Sequence, residues 1–346
     1  MSTIRGSKLA GSWYSNSSND LKRKFEKVLN NENDKLEKSS FVLAPHAGHR
    51  FCLLQILSSL KHLDLNSNTK SIIVIGPSHK VAFKNKIYLS PFKKLHTPLG
   101  DLSVDYESIH KMSESMPKYL NLASESMDQN EHCLEIIYPA LKYLVDLKQI
   151  QDVKIMPMII SKFDSESVLK NVIKHIFSTI NCEDTKVVIS SDFTHWGSPY
   201  NYYFQIDNIK KFNKYITNDN VEIQLDINKS INLLNLASML VLSPNQKIDQ
   251  TVYNKMEMPQ LSNAYSASKK GSILHNFKSY LMDTEDTICG MYPIIFVLSI
   301  LDDEELRGMF KLSHQASFQF IDYNYSNKVF HQDDYRVSYV SGYISN

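Results

Sequence analysis

Four short runs of apolar, largely β-branched residues mark the first part of the chain: Phe41–Pro45, Ser71–Gly76, Val153–Ile160 and Lys186–Ser191. Uninterrupted apolar runs of this length suit strands covered on both faces, as in a parallel sheet. Between them the spacing becomes helical, at Asp20–Leu29, Leu53–Leu63 and Leu134–Leu147, with apolar positions at i, i+3 and i+4 in the last. Ser165–Ile180 opens with a Ser-x-x-Val start and carries Val168, Val172, Ile173, Ile176 and Phe177. This alternation predicts an α/β domain with a mainly parallel or mixed central sheet flanked by helices. Three of the strands run directly into polar clusters containing histidine: PHAGH, GPSHK and SDFTHW. Parallel strands carry their functional residues at the carboxyl ends, which is where these clusters fall.

Beyond Ser198 the pattern predicts helices over Tyr203–Thr217 and Asn228–Leu240. Ser243–Gly271 has little apolar period and is rich in Lys, Ser, Asn and Pro, which predicts a mobile surface insertion. An amphipathic stretch, Leu274–Leu281, and a buried helix, Gly290–Leu301, follow; Ala316–Ile321 and Arg336–Ile344 read as strands. No internal repeat or linker divides the chain, so residues 1–346 are expected to form a single domain.

Composition narrows the function classes. Apolar residues make up 42% of the chain and charged residues 22%, enough to bury a sizeable core. With 38 basic against 37 acidic residues the net charge is +1, which gives no electrostatic reason to bind nucleic acid or an anionic membrane. Only five of the basic residues are Arg, the usual tool for phosphate and base-edge contacts. The longest apolar run, Tyr292–Leu301, is about half of the roughly 20 residues that a spanning helix needs, so no membrane insertion is expected. The N-terminal MSTIRGSKLAGSWYS lacks the apolar stretch of a signal peptide, and the four cysteines show no CxxC spacing. A reduced, cytoplasmic protein is the expectation. The ten glycines fall mostly in short clusters such as AGSWY, APHAG, GPSH, DFTHWG and TICG, marking backbone that needs close approach or positive φ.

His46 and His79 each close a predicted strand. One such histidine is more often a hydrogen-bonding cap, but two at neighbouring strand ends point to a shared pocket. Asp192 stands three residues before His195, a spacing that suits either an oriented imidazole with a general base or a turn that caps the next segment. Cys289, just before a helix, is either a small hydrophobe or a thiolate whose pKa the helix terminus lowers. Two imidazoles and a thiolate would suit Cu(I), Fe or Zn by ligand softness. Glu131-His132-x-x-Glu135 either places His132 and Glu135 on one helical face or forms a solvated first turn. GxSxG, P-loop, GxGxxG and HExxH are all absent, and no nucleotide or organic cofactor is expected.

Taken together, the ordered motifs AGSWY, APHAG, GPSH, TPLGDL, EHxxE, SSDFxHWG, TICG and SYxSG resemble the Memo family (mediator of ErbB2-driven cell motility) from about Lys8 to Tyr343. The resemblance implies a single α/β domain similar in fold to class III extradiol dioxygenases. It places the family's metal-pocket residues on His46, His79 and Cys289, and its pocket acid and base on Asp192 and His195. It also implies copper, as Cu(I), or iron as cofactor, redox activity, and a signalling role in cell growth or motility. A phosphopeptide or signalling-protein partner and a cytoplasmic and nuclear location come with it. Ile137 and Lys80 stand where the family usually has further histidines, and His49 where it has an aromatic. Three functions follow: a metal-dependent redox protein, hence a copper- or iron-dependent oxidoreductase if it turns over; a non-enzymatic peptide-binding signalling scaffold; or a ring-cleaving non-haem-iron dioxygenase.

Overall fold

The computed structural model describes residues 3–30, 36–216, 223–264, 271–331 and 333–346. The large sheet is built from β1 (Phe41–Ala44), β2 (Ser71–Pro77), β3 (Ile87–Leu89), β4 (Leu120–Leu122), β5 (Lys154–Ile160), β6 (Thr185–Ser190), β7 (His195–Gly197), β8 (Ser317–Tyr325) and β9 (Tyr335–Ser345). Across the sheet the order is β7-β9-β1-β6-β2-β5-β3-β4, with β8 paired to the far side of β9. The four apolar runs occupy its centre as the parallel set β1, β6, β2 and β5. Antiparallel pairing of β3 with β5 and of β9 with β1 makes the sheet mixed. A separate small sheet joins Ile4–Arg5, Lys94–Leu95 and Leu102–Ser103.

Helices cover the sheet as the apolar periodicity predicts. The principal ones are α1 (Ser18–Leu29), α2 (His49–Leu60), α3 (Tyr138–Leu147), α4 (Glu166–Thr179), α5 (Ile227–Leu242), α6 (Gln250–Lys255), α7 (Ile273–Thr284) and α8 (Met291–Leu301). Ser165 caps α4 through its side chain on the Val168 amide, as the Ser-x-x-Val start anticipates. α8 packs on β2 and β6 beside α4, and α2 packs on β1, β8 and β9. All seven residues of β2 are buried for that reason. No helix among the described residues is long and apolar enough to cross a membrane.

Two expectations are corrected. Tyr203–Thr217 is not a helix: only a 3₁₀ turn, Ile209–Phe212, forms there, and Thr217 itself lies outside the described residues. The backbone is drawn out instead by tertiary contacts, with the Phe204 carbonyl accepting from Trp196 Nε1 and the Ile206 amide donating to Ser230 Oγ. Ser243–Gly271 is not a loose loop over its described part. It forms α6 and a 3₁₀ turn at Pro259–Leu261, with Val252, Tyr253, Met256, Met258 and Leu261 buried. α6 packs on β8, and Lys255 pairs there with Asp322. Its apolar residues are too few per turn for a visible period, yet they converge on one face of the sheet edge. Residues 265–270 of that segment lie outside the described residues.

Candidate metal centre

The carboxyl ends of three parallel strands deliver most of the site. His46 lies two residues beyond β1, His79 two beyond β2, and Asp192 two beyond β6. Cys289 arrives from the opposite direction, in the turn that starts α8. The Cys289 Sγ is 3.1 Å from His46 Nε2. The His46 and His79 rings stand edge to face with centroids 5.2 Å apart. One ring nitrogen from each histidine and the Cys289 sulfur all lie within 4.8 Å of one another.

Two glycines allow this convergence. A Cβ on Gly290 would overlap the Ser191 side chain, so only glycine lets the Cys289 turn reach the end of β6. A Cβ on Gly76 would overlap Cys133 and Leu134, so glycine there lets the Glu131–Glu135 segment press against β2.

Asp192 and His195 reach the same region without touching each other as the three-residue spacing suggested. Asp192 Oδ1 accepts the His46 amide at 2.7 Å, which anchors the backbone of the first histidine. His195 is held by Thr287 instead: its amide donates to Thr287 Oγ1 at 2.9 Å, and its Nδ1 donates to the Thr287 carbonyl at 3.0 Å. The Thr287 contact leaves Nε2 of His195 as the nitrogen with the lone pair.

The Glu131–Glu135 segment is neither solvated nor one-faced. Glu131 and Glu135 are both buried. Glu135 turns toward Arg5, the Leu9 amide and the Tyr14 hydroxyl. His132 turns the other way, its ring 4.3 Å from that of His79, 5.5 Å from that of His46 and 4.9 Å from Trp13. His132 therefore belongs to the pocket, a role that the sequence signalled only through the EH pair. Of the three departures from the family pattern, Ile137 is buried in the core and Lys80 is exposed. His49 does the packing of an aromatic between Tyr14 and Phe25, with Nε2 on the Ile136 carbonyl.

The cluster is electrostatically frugal with protons. Burial, then the neighbouring His79, His132 and His195, holds the His46 pKa well below the ordinary histidine value. Burial lowers His132 to about 4, aided by His79, and lowers His195 to about 4. All three are neutral imidazoles at pH 7, the form that ligates metal. Burial pushes the Cys289 thiol well above its usual value, with the Asp192 charge adding to it, so the helix terminus does not activate this cysteine. Burial raises Asp192 to about 7, against the opposing amide of His46. Beside the cluster opens a cleft of about 670 Å³, walled by Trp13, Phe51, His132, Tyr200 and Tyr339, with Arg50 on its rim.

Beneath His195 sits another buried acid. Asp286 Oδ2 accepts from Tyr280 OH at 2.7 Å and Thr194 Oγ1 at 3.2 Å, while its Oδ1 lacks a partner. Burial raises its pKa from 3.8 to about 6. The folded protein thus holds a proton that the unfolded chain has released, and stability falls as pH rises through this window. At roughly 1.4 kcal/mol per unit the loss is about 3 kcal/mol by pH 7. Asp286→Asn is expected to flatten this dependence, so urea midpoints of variant and wild type should diverge as the pH rises from 4 to 7. Parallel curves would place the proton elsewhere.

The fold and cluster define a class: a mixed-sheet α/β protein with a His/His/Cys group at the strand ends, buried at His46 and open to solvent at His79. The chain belongs to the Memo family, since the family described as Memo-like protein matches residues 5–343. It is 31% identical to the MEMO1 family protein MHO1 of Saccharomyces cerevisiae over 99% of both chains. It is 27% identical to the protein memo-1 homolog of Caenorhabditis elegans, over 98% of this chain and 82% of that one. Identity to protein MEMO1 of Homo sapiens is 26%, over 97% of this chain and 95% of that one.

Proposed function

We propose that this chain is a metal-binding redox protein in which His46, His79 and Cys289 hold copper, as Cu(I), or iron, with Asp192 and His195 handling a proton beside it. The observation that supports this reading is the mutual approach of the three ligand atoms to within 4.8 Å at the mouth of a cleft. The donor chemistry fits the group: two imidazoles and one thiol form a soft set that hard, oxygen-seeking cations do not favour. Bound there, copper or iron supplies one-electron exchange with O₂ or peroxide. The chain's own contribution is to hold the ligands, shield them with Trp13 and Tyr339, and keep near-neutral Asp192 ready to take or give a proton. Ring cleavage fits less well, because the usual two-histidine, one-carboxylate set has Cys289 in the third place.

The signalling reading rests on the family and on one feature of the cleft. Arg50 stacks on Phe51 with its guanidinium 4.3 Å from the ring centroid, at the rim of an aromatic wall. An aromatic, anionic peptide side chain would suit that wall without any turnover.

Titration of the metal-free protein under anaerobic conditions tests the main proposal. One Cu(I) per chain is expected, with Fe(II) weaker and Mg²⁺ and Ca²⁺ negligible. Comparable uptake of Mg²⁺, or no uptake of Cu(I), overturns it. Tight binding of a phosphotyrosyl peptide by a protein that takes up no metal would favour the scaffold.

A further inference from the structure

Glu131 is buried, and every contact it makes is with a donor. Its Oε2 accepts the His79 amide at 2.7 Å, and its Oε1 accepts His79 Nδ1 at 2.8 Å. The same Oε1 takes the amides of His132 at 3.1 Å and Cys133 at 3.5 Å. The Glu131 oxygens also lie close to the rings of both His79 and His132, which brings the three within reach of one ion. Three of these donors crowd Oε1 and the fourth takes Oε2, so the carboxylate is already committed to the His79 ring and the turn, and a positioning role accounts for every one of these contacts. What these bonds do is grip His79 at two points, backbone and ring, and require its Nδ1 to carry the proton.

His46 is set by a different device. Ser190 Oγ donates its single proton to the Cys133 carbonyl at 2.6 Å. Its 2.8 Å contact with His46 Nδ1 must therefore be one that it accepts, and that ring nitrogen too carries the proton. Both rings are left with the lone pair on Nε2, and that of His46 faces Cys289 Sγ. Cys133 links the two devices, its carbonyl receiving Ser190 and its amide meeting Glu131.

We propose that Glu131 and Ser190 are positioning residues that lock His79 and His46, respectively, into the Nδ1–H tautomer, so that both Nε2 lone pairs are aimed before any ligand arrives. Outer partners of this kind fix ring orientation and raise ligand basicity. The pair is asymmetric: a carboxylate backs His79, and a neutral hydroxyl backs His46. The consequence for ligation rests on the metal reading above, but the tautomers themselves do not.

Ring ¹⁵N NMR of the metal-free protein at pH 7.5 tests this directly. In the wild type both histidines should show the proton on Nδ1. Glu131→Gln replaces a charged acceptor with a weaker neutral one and, with its NH₂ turned to the ring, excludes Nδ1–H, so the Nε2–H share of His79 should rise while His46 stays as it was. Ser190→Ala should do the reverse. Glu131→Asp keeps the charge and should keep the His79 tautomer, and thermal unfolding of each variant reports whether it is folded. His79 retaining Nδ1–H in Glu131→Gln, or both rings changing together in either variant, would reduce these residues to structural latches. Should Glu131→Gln not fold, an unaltered His46 in Ser190→Ala still overturns the proposal. Cu(I) competition on the same proteins should show affinity lower by about 10–100-fold in Glu131→Gln and Ser190→Ala. A wild type that takes up no Cu(I) removes the metal reading alone, because the tautomers are read without metal.

Discussion

Cys289→Ser is expected to weaken Cu(I) binding by more than the roughly 100-fold that outer partners can account for, with the fold intact. The sulfur contributes the soft donor of the set; a serine hydroxyl is harder, shorter in reach and does not ionise near neutrality. Cys289 is partly exposed to the cleft and its sulfur meets His46 Nε2 at 3.1 Å and the Asp192 carbonyl at 3.5 Å. Neither contact bears on the core, so the change in stability should stay within about 1 kcal/mol. Competition against a chromophoric Cu(I) chelator, under anaerobic conditions, measures the effect. Unchanged affinity would remove Cys289 from the site and leave two histidines too few to define one.

Arg5→Ala carries the largest expected stability effect, a loss of about 3–5 kcal/mol. Arg5 is 1% exposed, and its guanidinium reaches Asp128 at 2.6 Å and Glu135 at 2.5 Å. It also donates to the carbonyls of Asp128 at 2.9 Å and Glu131 at 3.0 Å. Removing it strands two carboxylates that are 3% and 1% exposed. Burial already pushes the Asp128 pKa up, with Arg5 the main opposing influence, so the loss cannot be made good by solvent. The damage should reach the pocket as well. Glu135 ties down Leu9 and Tyr14, and the loop between them sets Trp13 against His132. Urea unfolding followed by Trp fluorescence would report both effects. A loss below about 1 kcal/mol would place the N-terminal segment outside the cooperative unit.

By itself the chain determined what short-range patterning can determine. β-branched runs specify the four central strands, because a residue that must be buried on both faces of a sheet leaves no room for polar alternation. The histidine clusters that end them mark His46, His79 and Asp192, and those residues do meet Cys289 as their position at strand ends anticipates. Which side chain serves which was decided only in three dimensions. Asp192 grips the His46 amide, not the nearby His195, because β1 and β6 are adjacent and their ends lie side by side. The contacts of Glu131 with His79 and of Ser190 with His46 were illegible, although Glu131 itself stood out in the EHxxE pattern, because the partners are 52 and 144 positions away. The failed helix at Tyr203–Thr217 and the misjudged loop at Ser243–Gly271 have the same cause. Backbone groups of the first are satisfied by the distant Trp196 and Ser230, apolar residues of the second pack on β8, and such partners leave no local period. Local spacing reports how a segment meets its immediate neighbours, whereas burial of a polar or irregular segment depends on partners that only the folded chain brings near.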